Sequence, residues 1–143
     1  MRFEISLDID ASPETVWAHL IDIERWPETT ASVTRVERLD DGPFGMGSRA
    51  RMQQPRMPAA IWTVTGFDPG RSFTWESRTP GVVTTGGHFL DPGGDTVSLR
   101  LTLDQKGPAA PLVSLLYGRL TRRYVTMEAE GLKLRCETHR SET

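Results

Sequence analysis

The chain has 143 residues, with 17 Lys and Arg against 19 Asp and Glu, and a formal net charge of -2. That balance gives no electrostatic reason to expect nucleic-acid binding, which usually needs a concentrated basic surface. The length and the 37% hydrophobic content fit one globular domain over residues 1–143. Because the start is acidic and no run approaches about 20 apolar residues, we expect no secretory signal, no membrane span and a cytoplasmic location.

The N-terminal segment predicts one strand followed by two short helices. Apolar and polar residues alternate strictly from Phe3 to Ile9, the pattern of a half-buried strand. Ser12 is a suitable N-cap and Pro13 suits the first helical position. The Trp26-Pro27 pair is expected to break the helical run in two, because the residue before a proline disfavours helical geometry.

Six further strands are predicted between residues 33 and 103, each bounded by turn residues. They cover residues 33–39, 47–54, 61–67, 72–78, 82–90 and 97–103. Their short connections favour antiparallel neighbours. With the first strand they predict a seven-stranded antiparallel sheet that needs a helical cover on its apolar face.

The last long segment predicts a single helix from Gly107-Pro108 through Thr138, against a usual length of about 11–12 residues. At about 100° per residue, eight residues form a stripe expected to face the sheet: Leu112, Val113, Leu116, Leu120, Tyr124, Met127, Gly131 and Leu134. The opposite side, assigned to water, carries Ser114, Thr121, Arg122, Glu128 and Lys133. The glycine in the stripe suggests close approach to the sheet.

Several short motifs occur in an informative order: Ser12-Pro13-Glu14-x-Val16-Trp17, Asp22-x-Glu24-Arg25-Trp26-Pro27, Trp62-Thr63-Val64, Phe73-Thr74-Trp75-Glu76, Gly81, His88, Gly107-Pro108, Arg123-Tyr124 and Glu130-Gly131-Leu132-Lys133. Over nearly the whole chain they resemble the polyketide cyclase/dehydrase branch of the START-like (SRPBCC) superfamily. The resemblance implies the α+β helix-grip fold, in which a curved seven-stranded antiparallel sheet wraps around a long C-terminal helix, with two short helices after the first strand. It also implies a deep apolar cavity. It implies no particular reaction, because members include lipid carriers, hormone receptors and aromatase/cyclases.

His88 is the main candidate for chemistry. It shares a strand face with Thr84 and Leu90, so an inward face would place an imidazole in the cavity. An ordinary histidine pKa of about 6.5 suits proton transfer, and removal of a proton alpha to a carbonyl is what aldol cyclisation requires. The alternative is a histidine that only hydrogen-bonds a neighbouring strand. If Phe89 points inward instead, His88 faces solvent.

Aromatic side chains are the predicted walls of the cavity. Trp62 and Trp75 each share a face with apolar neighbours, which fits either a ligand pocket or plain core packing. Trp26, at the helix break, could close one mouth or anchor the packing. The remaining predicted ligand-binding residues are Met52, Thr84, Leu116, Leu120 and Met127.

Two residues of the long helix join the list of candidates for chemistry. Tyr124 could donate a hydrogen bond to a ligand carbonyl from the predicted stripe, where Met127 would adapt to varied shapes. Arg123, at the edge of the stripe, could hold a carboxylate or polarise a ketone. The alternative for Arg123 is a surface ion pair.

No metal and no cofactor are expected. His19, His88 and His139 lack metal-ligand spacing, and no phosphate- or dinucleotide-binding motif occurs. Cys136 lies off the predicted stripe without a local partner that would mark a nucleophile.

Three functions remain open at this point. The first is binding of a small hydrophobic or aromatic ligand, polyketide- or lipid-like, in the cavity. The second is a polyketide cyclase/dehydratase enzyme with His88 as general base and Tyr124 or Arg123 as electrophile. The third is a protein-interaction partner, which would carry a large exposed apolar patch; a homodimer is compatible with the sequence.

Overall fold

The computed structural model describes residues 2–94 and 96–141, with side chains described through residue 138. Its elements are β1 (Arg2–Ile9), α1 (Pro13–Ile21), a 3-10 helix (Ile23–Glu28), β2 (Arg35–Arg38), β3 (Arg49–Gln53), β4 (Ala60–Asp68), β5 (Ser72–Thr79), β6 (Val82–Gly93), β7 (Thr96–Lys106) and α2 (Ala110–Ser141). The predicted order of elements is confirmed. The side chain of His139 lies outside the described part.

The strands form one antiparallel sheet in the order β1-β7-β6-β5-β4-β3-β2. β1 pairs with β7, so that Arg2 lies opposite Asp104 and Ile9 opposite Val97. A register shift between Val64 and Gly66 interrupts the β4–β5 ladder, and such bulges increase local bend and twist. The helix-grip fold predicted from the sequence, a curved sheet of seven strands around a long C-terminal helix, is confirmed.

The two short helices form as predicted. The Ser12 side chain accepts a hydrogen bond from the backbone N–H of Thr15 at 3.2 Å, and Pro13 begins α1. After α1 ends, the 3-10 helix brings Trp26 inward, where its indole Nε1–H donates to the carbonyl of Leu20 at 3.2 Å. This hydrogen bond fixes the indole over the interior.

The face that α2 turns inward differs from the predicted stripe. Leu112, Leu116 and Leu134 are 58%, 65% and 68% exposed. The helix buries two residues of the predicted stripe, Tyr124 and Gly131, together with Val125, Ala129, Leu132 and Cys136. Compared with the prediction, the buried face is rotated by roughly 100°, about one residue step.

One close contact helps to set the orientation of α2. A Cβ at Gly131 would overlap the carbonyl oxygen of Thr29, so the helix backbone lies directly against the end of the 3-10 helix. The close approach of Gly131 was predicted, but its neighbour is Thr29 and not the sheet. With the helix held in this orientation, Leu112, Leu116 and Leu134 are left outside.

A packed core occupies one end of the space between α2 and the sheet. Ile9, Val16, Ile23, Phe73 and Leu99 are almost completely shielded from solvent there. At the other end, where α2 begins, the interior is hollow. None of the described helices is long and apolar enough to cross a membrane.

Candidate ligand-binding site

A cavity of about 340 Å³ lies between α2 and the sheet. Its size falls within the range of about 300–1,000 Å³ that is typical of small-molecule pockets. Strands β3 to β7 supply one wall, and α2 supplies the other through Val113, Tyr117, Thr121, Tyr124 and Glu128. These five residues recur every three or four positions, which places them on one face of the helix.

Three tryptophans form the aromatic wall. The ring of Trp75 lies 5.5 Å from that of Trp62 and 5.5 Å from that of Trp26. Gly86, on the neighbouring strand, provides room for the indole: a Cβ there would lie 3.2 Å from Trp75 Nε1. The absence of a side chain at Gly86 therefore lets the Trp75 ring lie across β6.

His88 lies on the inner face of β6 and is 5% exposed. Its Nδ1 lies 3.2 Å from the carbonyl oxygen of Phe73, and its ring stacks on the Phe73 ring with centroids 4.1 Å apart. Because a carbonyl can only accept, Nδ1 carries the proton and Nε2 keeps the lone pair. Burial lowers the pKa of His88 to about 4, so the imidazole is neutral at neutral pH.

Glu128 is the second titratable group of the cavity, and the sequence analysis assigned it to water. Its side chain is half-buried and borders the cavity. Burial raises the pKa of Glu128 to about 8, so the protonated acid predominates at neutral pH. Gln54 Nε2 lies 3.5 Å from Glu128 Oε1. A neutral carboxylic acid can donate a hydrogen bond, which a carboxylate cannot.

A second, much smaller cavity of about 20 Å³, enough for about one water molecule, adjoins the same residues. Trp26, His88 and Glu128 line both spaces. The nearby Arg135 has other partners, because its Nε donates to His19 Nδ1 at 3.1 Å and its guanidinium lies 3.6 Å from Glu28. The titratable pair therefore lies at the inner end of the main cavity.

The β3–β4 loop forms part of the cavity rim through Met57, Pro58 and Ala59. Tyr124 Oη donates to the Pro55 carbonyl at 2.6 Å, which ties this loop to α2. The phenolic proton of Tyr124 is thus used within the protein, whereas the sequence analysis reserved it for a ligand carbonyl.

The structure brings most of the predicted site residues together. Trp26, Met52, Trp62, Trp75, Thr84, His88 and Tyr124 line the cavity. Leu116 and Arg123 are exposed on the outer face of α2, and neither Leu120 nor Met127 belongs to the lining. The placement of Leu116, Leu120 and Met127 in the cavity was wrong because it followed the misplaced apolar stripe, and Arg123, which was expected at the edge of that stripe, faces solvent.

The wall also contains polar residues that were not predicted from the sequence: Gln54, Ser77, Thr102, Gln105, Thr121 and Glu128. A usable signal existed on α2, where Tyr117, Thr121, Tyr124 and Glu128 share the helical spacing of a face. The polarity of Thr121 and Glu128 led to their assignment to water, whereas Tyr124 was placed correctly and Tyr117 was assigned to neither side. A face that borders a cavity does not have to be apolar throughout.

Two other predictions concern metals and thiols. Among the side chains described for residues 2–94 and 96–138, no group of three His, Cys, Asp or Glu is arranged to hold a metal ion. Cys136 is fully buried, and burial raises the pKa of its thiol to about 12. The thiol therefore stays protonated at neutral pH, which does not suit a nucleophile.

The fold and the cavity define a helix-grip protein with an internal, aromatic-walled pocket. A family model described as polyketide cyclase / dehydrase and lipid transport matches residues 1–137. The chain therefore belongs to this family, as its motifs suggested. A search of curated proteins by sequence finds no significant match.

Solved structures of low sequence identity share the fold. A Thermus thermophilus protein, TTHA0849, is similar with a TM-score of 0.78 and 20% identity over 97% of this chain and 99% of that one. The ZhuI aromatase/cyclase from Streptomyces sp. R1128 is similar with a TM-score of 0.79 and 18% identity, over 96% of this chain and 93% of that one. Norcoclaurine synthase from Thalictrum flavum, solved with dopamine and hydroxybenzaldehyde, is similar with a TM-score of 0.76 and 13% identity, over 97% of this chain and 87% of that one.

Proposed function

We propose that the protein binds a small hydrophobic or aromatic molecule, polyketide- or lipid-like, in the cavity between α2 and the sheet. The observation that carries this proposal is the space of about 340 Å³ walled by Trp26, Trp62 and Trp75. Water in such a space is displaced favourably by apolar surface, and flat aromatic walls favour flat ligands.

The polar groups at the inner end favour an uncharged ligand. Protonated Glu128 offers one hydrogen-bond donor, and neutral His88 offers one acceptor at Nε2. A charged ligand group would lose its hydration there without gaining an opposite charge. The best match is therefore an apolar molecule with a hydroxyl or carbonyl group at one end.

A pair of fluorescent probes tests this proposal. N-phenyl-1-naphthylamine is uncharged, and 1-anilinonaphthalene-8-sulfonate has the same framework with an added sulfonate. We expect saturable fluorescence enhancement with the uncharged probe at pH 6, and at least about tenfold weaker binding of the sulfonate because its charge is poorly solvated.

A matched pair of variants on α2 locates the probe. Thr121 faces the cavity and Leu116 faces outward, and the two are neighbours on one helix. Thr121→Trp should fill the cavity and abolish binding, whereas Leu116→Trp should leave it unchanged. Equal binding by both variants would place the probe outside the cavity and contradict the proposal.

A cyclase or dehydratase reaction is the second candidate, and the lone pair of His88 Nε2 favours it. In such a reaction Nε2 takes the proton alpha to a ketone while Glu128 gives its proton to the carbonyl oxygen, which forms the enol. The enol carbon then attacks a second carbonyl, the enol oxygen returns its proton to Glu128, and the protonated His88 gives its proton to the new alkoxide oxygen, so that both side chains regain their starting states. The pKa of about 4 makes His88 a weak base, so the transfer depends on the acid acting at the same time.

Deuterium exchange tests this chemistry without knowledge of the substrate. The probe is 2-tetralone in D₂O, with exchange at its alpha carbon followed by NMR. We expect the protein to accelerate exchange and His88→Gln to remove the acceleration while binding of N-phenyl-1-naphthylamine persists. If the exchange rate equals the rate in buffer alone, or if His88→Gln does not change it, the proposed chemistry is contradicted and binding alone remains as the function.

A further inference from the structure

Three leucines are exposed together at the start of α2. Leu112, Leu115 and Leu116 are 58%, 81% and 65% exposed. On a helix these positions are neighbours on one face, so they form a continuous apolar patch. A cluster of large apolar side chains in water usually marks an interaction surface.

Three arginines continue the same face. Arg119, Arg122 and Arg123 are exposed, and with the leucines they fall within an arc of about 120° at 100° per residue. Among the side chains described, none of the three forms an ion pair with a carboxylate; Arg122 lies over the Phe3 ring at 5.8 Å. We call these three leucines and three arginines the outer face of α2.

This face lies at the end of the molecule where the cavity opens. The Ala109 N–H donates to the Gly81 carbonyl at 2.9 Å, so α2 begins against the β5–β6 turn. Thr79 at the end of β5, Val113 of α2 and Met57 of the β3–β4 loop all line the cavity. The apolar patch and the cavity rim therefore share one end of the fold.

The charge of this end differs from that of the whole chain. Segments 53–60, 77–84 and 105–127 contain Arg56, Arg78, Lys106, Arg119, Arg122 and Arg123, and no Asp or Glu, although the chain has a net charge of -2. Arg78 and Lys106 are paired with Glu76 and Asp104 of the adjoining strands. The outer face of α2 thus combines an apolar surface with three arginines that have no carboxylate partner among the described side chains.

We propose that the outer face of α2 docks on an anionic lipid bilayer. Along α2 the leucines come first and the arginines follow. A bilayer offers a matching order, because its apolar interior suits the leucines and its negatively charged headgroups suit the arginines. With the start of α2 directed into the bilayer, Leu116 lies about 10 Å deeper than Arg123 along the helix axis, which places the leucines below the headgroups and the arginines among them. Docked in this way, the rim of the cavity lies at the membrane surface, where an apolar ligand enters without crossing water.

Charge argues against the other occupants of this face. A two-fold contact between copies of this face would collect six arginines in one interface, and the face itself contributes no carboxylate to offset them. An acidic protein would satisfy the arginines but has no general reason to cover three adjacent leucines. The bilayer satisfies both.

Sedimentation with lipid vesicles tests the proposal on the full chain. We expect binding to vesicles of phosphatidylcholine mixed with phosphatidylserine, and weak binding to phosphatidylcholine alone. Each arginine near an anionic surface strengthens partitioning by about fivefold, so Arg119→Gln with Arg123→Gln should weaken it by about 25-fold. Salt near 1 M should have a similar effect, because the Debye length falls to about 3 Å.

Leucine variants separate insertion from simple charge attraction. Leu112→Ser with Leu115→Ser should reduce binding by at least about tenfold, since two buried leucines contribute several methylene groups. Leu134→Ser is the matched control, because Leu134 is 68% exposed on the same helix but lies beyond the outer face. Circular dichroism checks that all variants fold.

Three results would overturn the proposal. They are binding that ignores phosphatidylserine, equal losses from the Leu134→Ser and Leu112→Ser/Leu115→Ser proteins, and a concentration-dependent dimer that the leucine substitutions dissolve. The last result would assign the outer face to a second copy of the chain.

Discussion

The two ends of the space between α2 and the sheet are built from different side chains. At the packed end, Ile9, Val16, Phe73 and Leu99 interlock with the small and branched residues of the C-terminal half of α2. At the hollow end, tryptophans on the strands face a helix surface that includes Thr121 and Glu128. Stability is therefore concentrated in one end, and the other end is free to vary its side chains around a ligand.

The largest expected difference comes from truncating an aromatic residue at each end. Phe73→Ala removes a fully buried ring and should cost about 3–5 kcal/mol of unfolding free energy. Trp62→Ala removes a half-buried ring that already borders open space, and should cost about 1–2 kcal/mol. Urea unfolding measures both. Equal losses would mean that the hollow end contributes to stability as a packed core.

The close contact of α2 with the 3-10 helix provides the next test. Gly131→Ala would normally favour a helix by about 1 kcal/mol, but its Cβ overlaps the Thr29 carbonyl. The backbone must shift, so we expect a net loss of about 1–3 kcal/mol in unfolding free energy. A more stable Gly131→Ala protein would show that the helix does not rest on the 3-10 helix as described.

The pH dependence of stability tests the ionisation of the hollow end. The pKa of Glu128 is about 8 in the folded state against an ordinary 4.5, so the folded state holds the extra proton and stability falls as pH rises between these values. The pKa of His88 is about 4 against 6.5, so stability is lost as pH falls from 6.5 toward 4. Between about pH 4.5 and 6.5 the two slopes oppose each other.

Between pH 6.5 and 8 the Glu128 slope dominates, at most about 1.4 kcal/mol per pH unit, because the Cys136 thiol contributes only above its ordinary pKa of 9.0. Unfolding of the wild type and of Glu128→Gln, measured from pH 6.5 to 8, isolates it. We expect a decline in the wild type and a smaller one in the variant. Parallel curves would indicate that Glu128 is ionised and hydrated in the folded protein.

The smallest effect is expected at the rim of the cavity. Tyr124→Phe removes the hydrogen bond to Pro55 and should cost about 1 kcal/mol. The released β3–β4 loop should be cleaved faster by trypsin after Arg56, which mass spectrometry detects. Phe3→Leu on β1 serves as a comparison distant from this loop. An unchanged cleavage rate at Arg56 would mean that Tyr124 does not hold the loop.

The fold could be predicted because its signals are local. Strict alternation in β1, the Ser12 cap and the turn residues between strands each act within a few positions, and their order determined the architecture. The inward positions of Trp62 and Trp75 followed from strand alternation in the same way, since a period of two leaves only two faces to choose between. For His88 alternation left both faces open, because Phe89 competed for the inner one.

The orientation of α2 could not be predicted in this way. A helix has a continuous choice of faces, and the usual rule selects the face with the largest apolar residues. Here the close contact of Gly131 with Thr29 holds the helix, the cavity accepts Glu128, and Leu112 and Leu116 are left outside. Each of these depends on tertiary neighbours that the helix sequence does not contain.

A crystal structure of the protein grown with N-phenyl-1-naphthylamine tests the central claim most directly. The account predicts electron density for the probe between Trp62, Trp75 and Tyr117, with its amine near the inner end of the cavity. Density for the probe only on the exposed leucines of α2, with the cavity closed or filled by water, would contradict it.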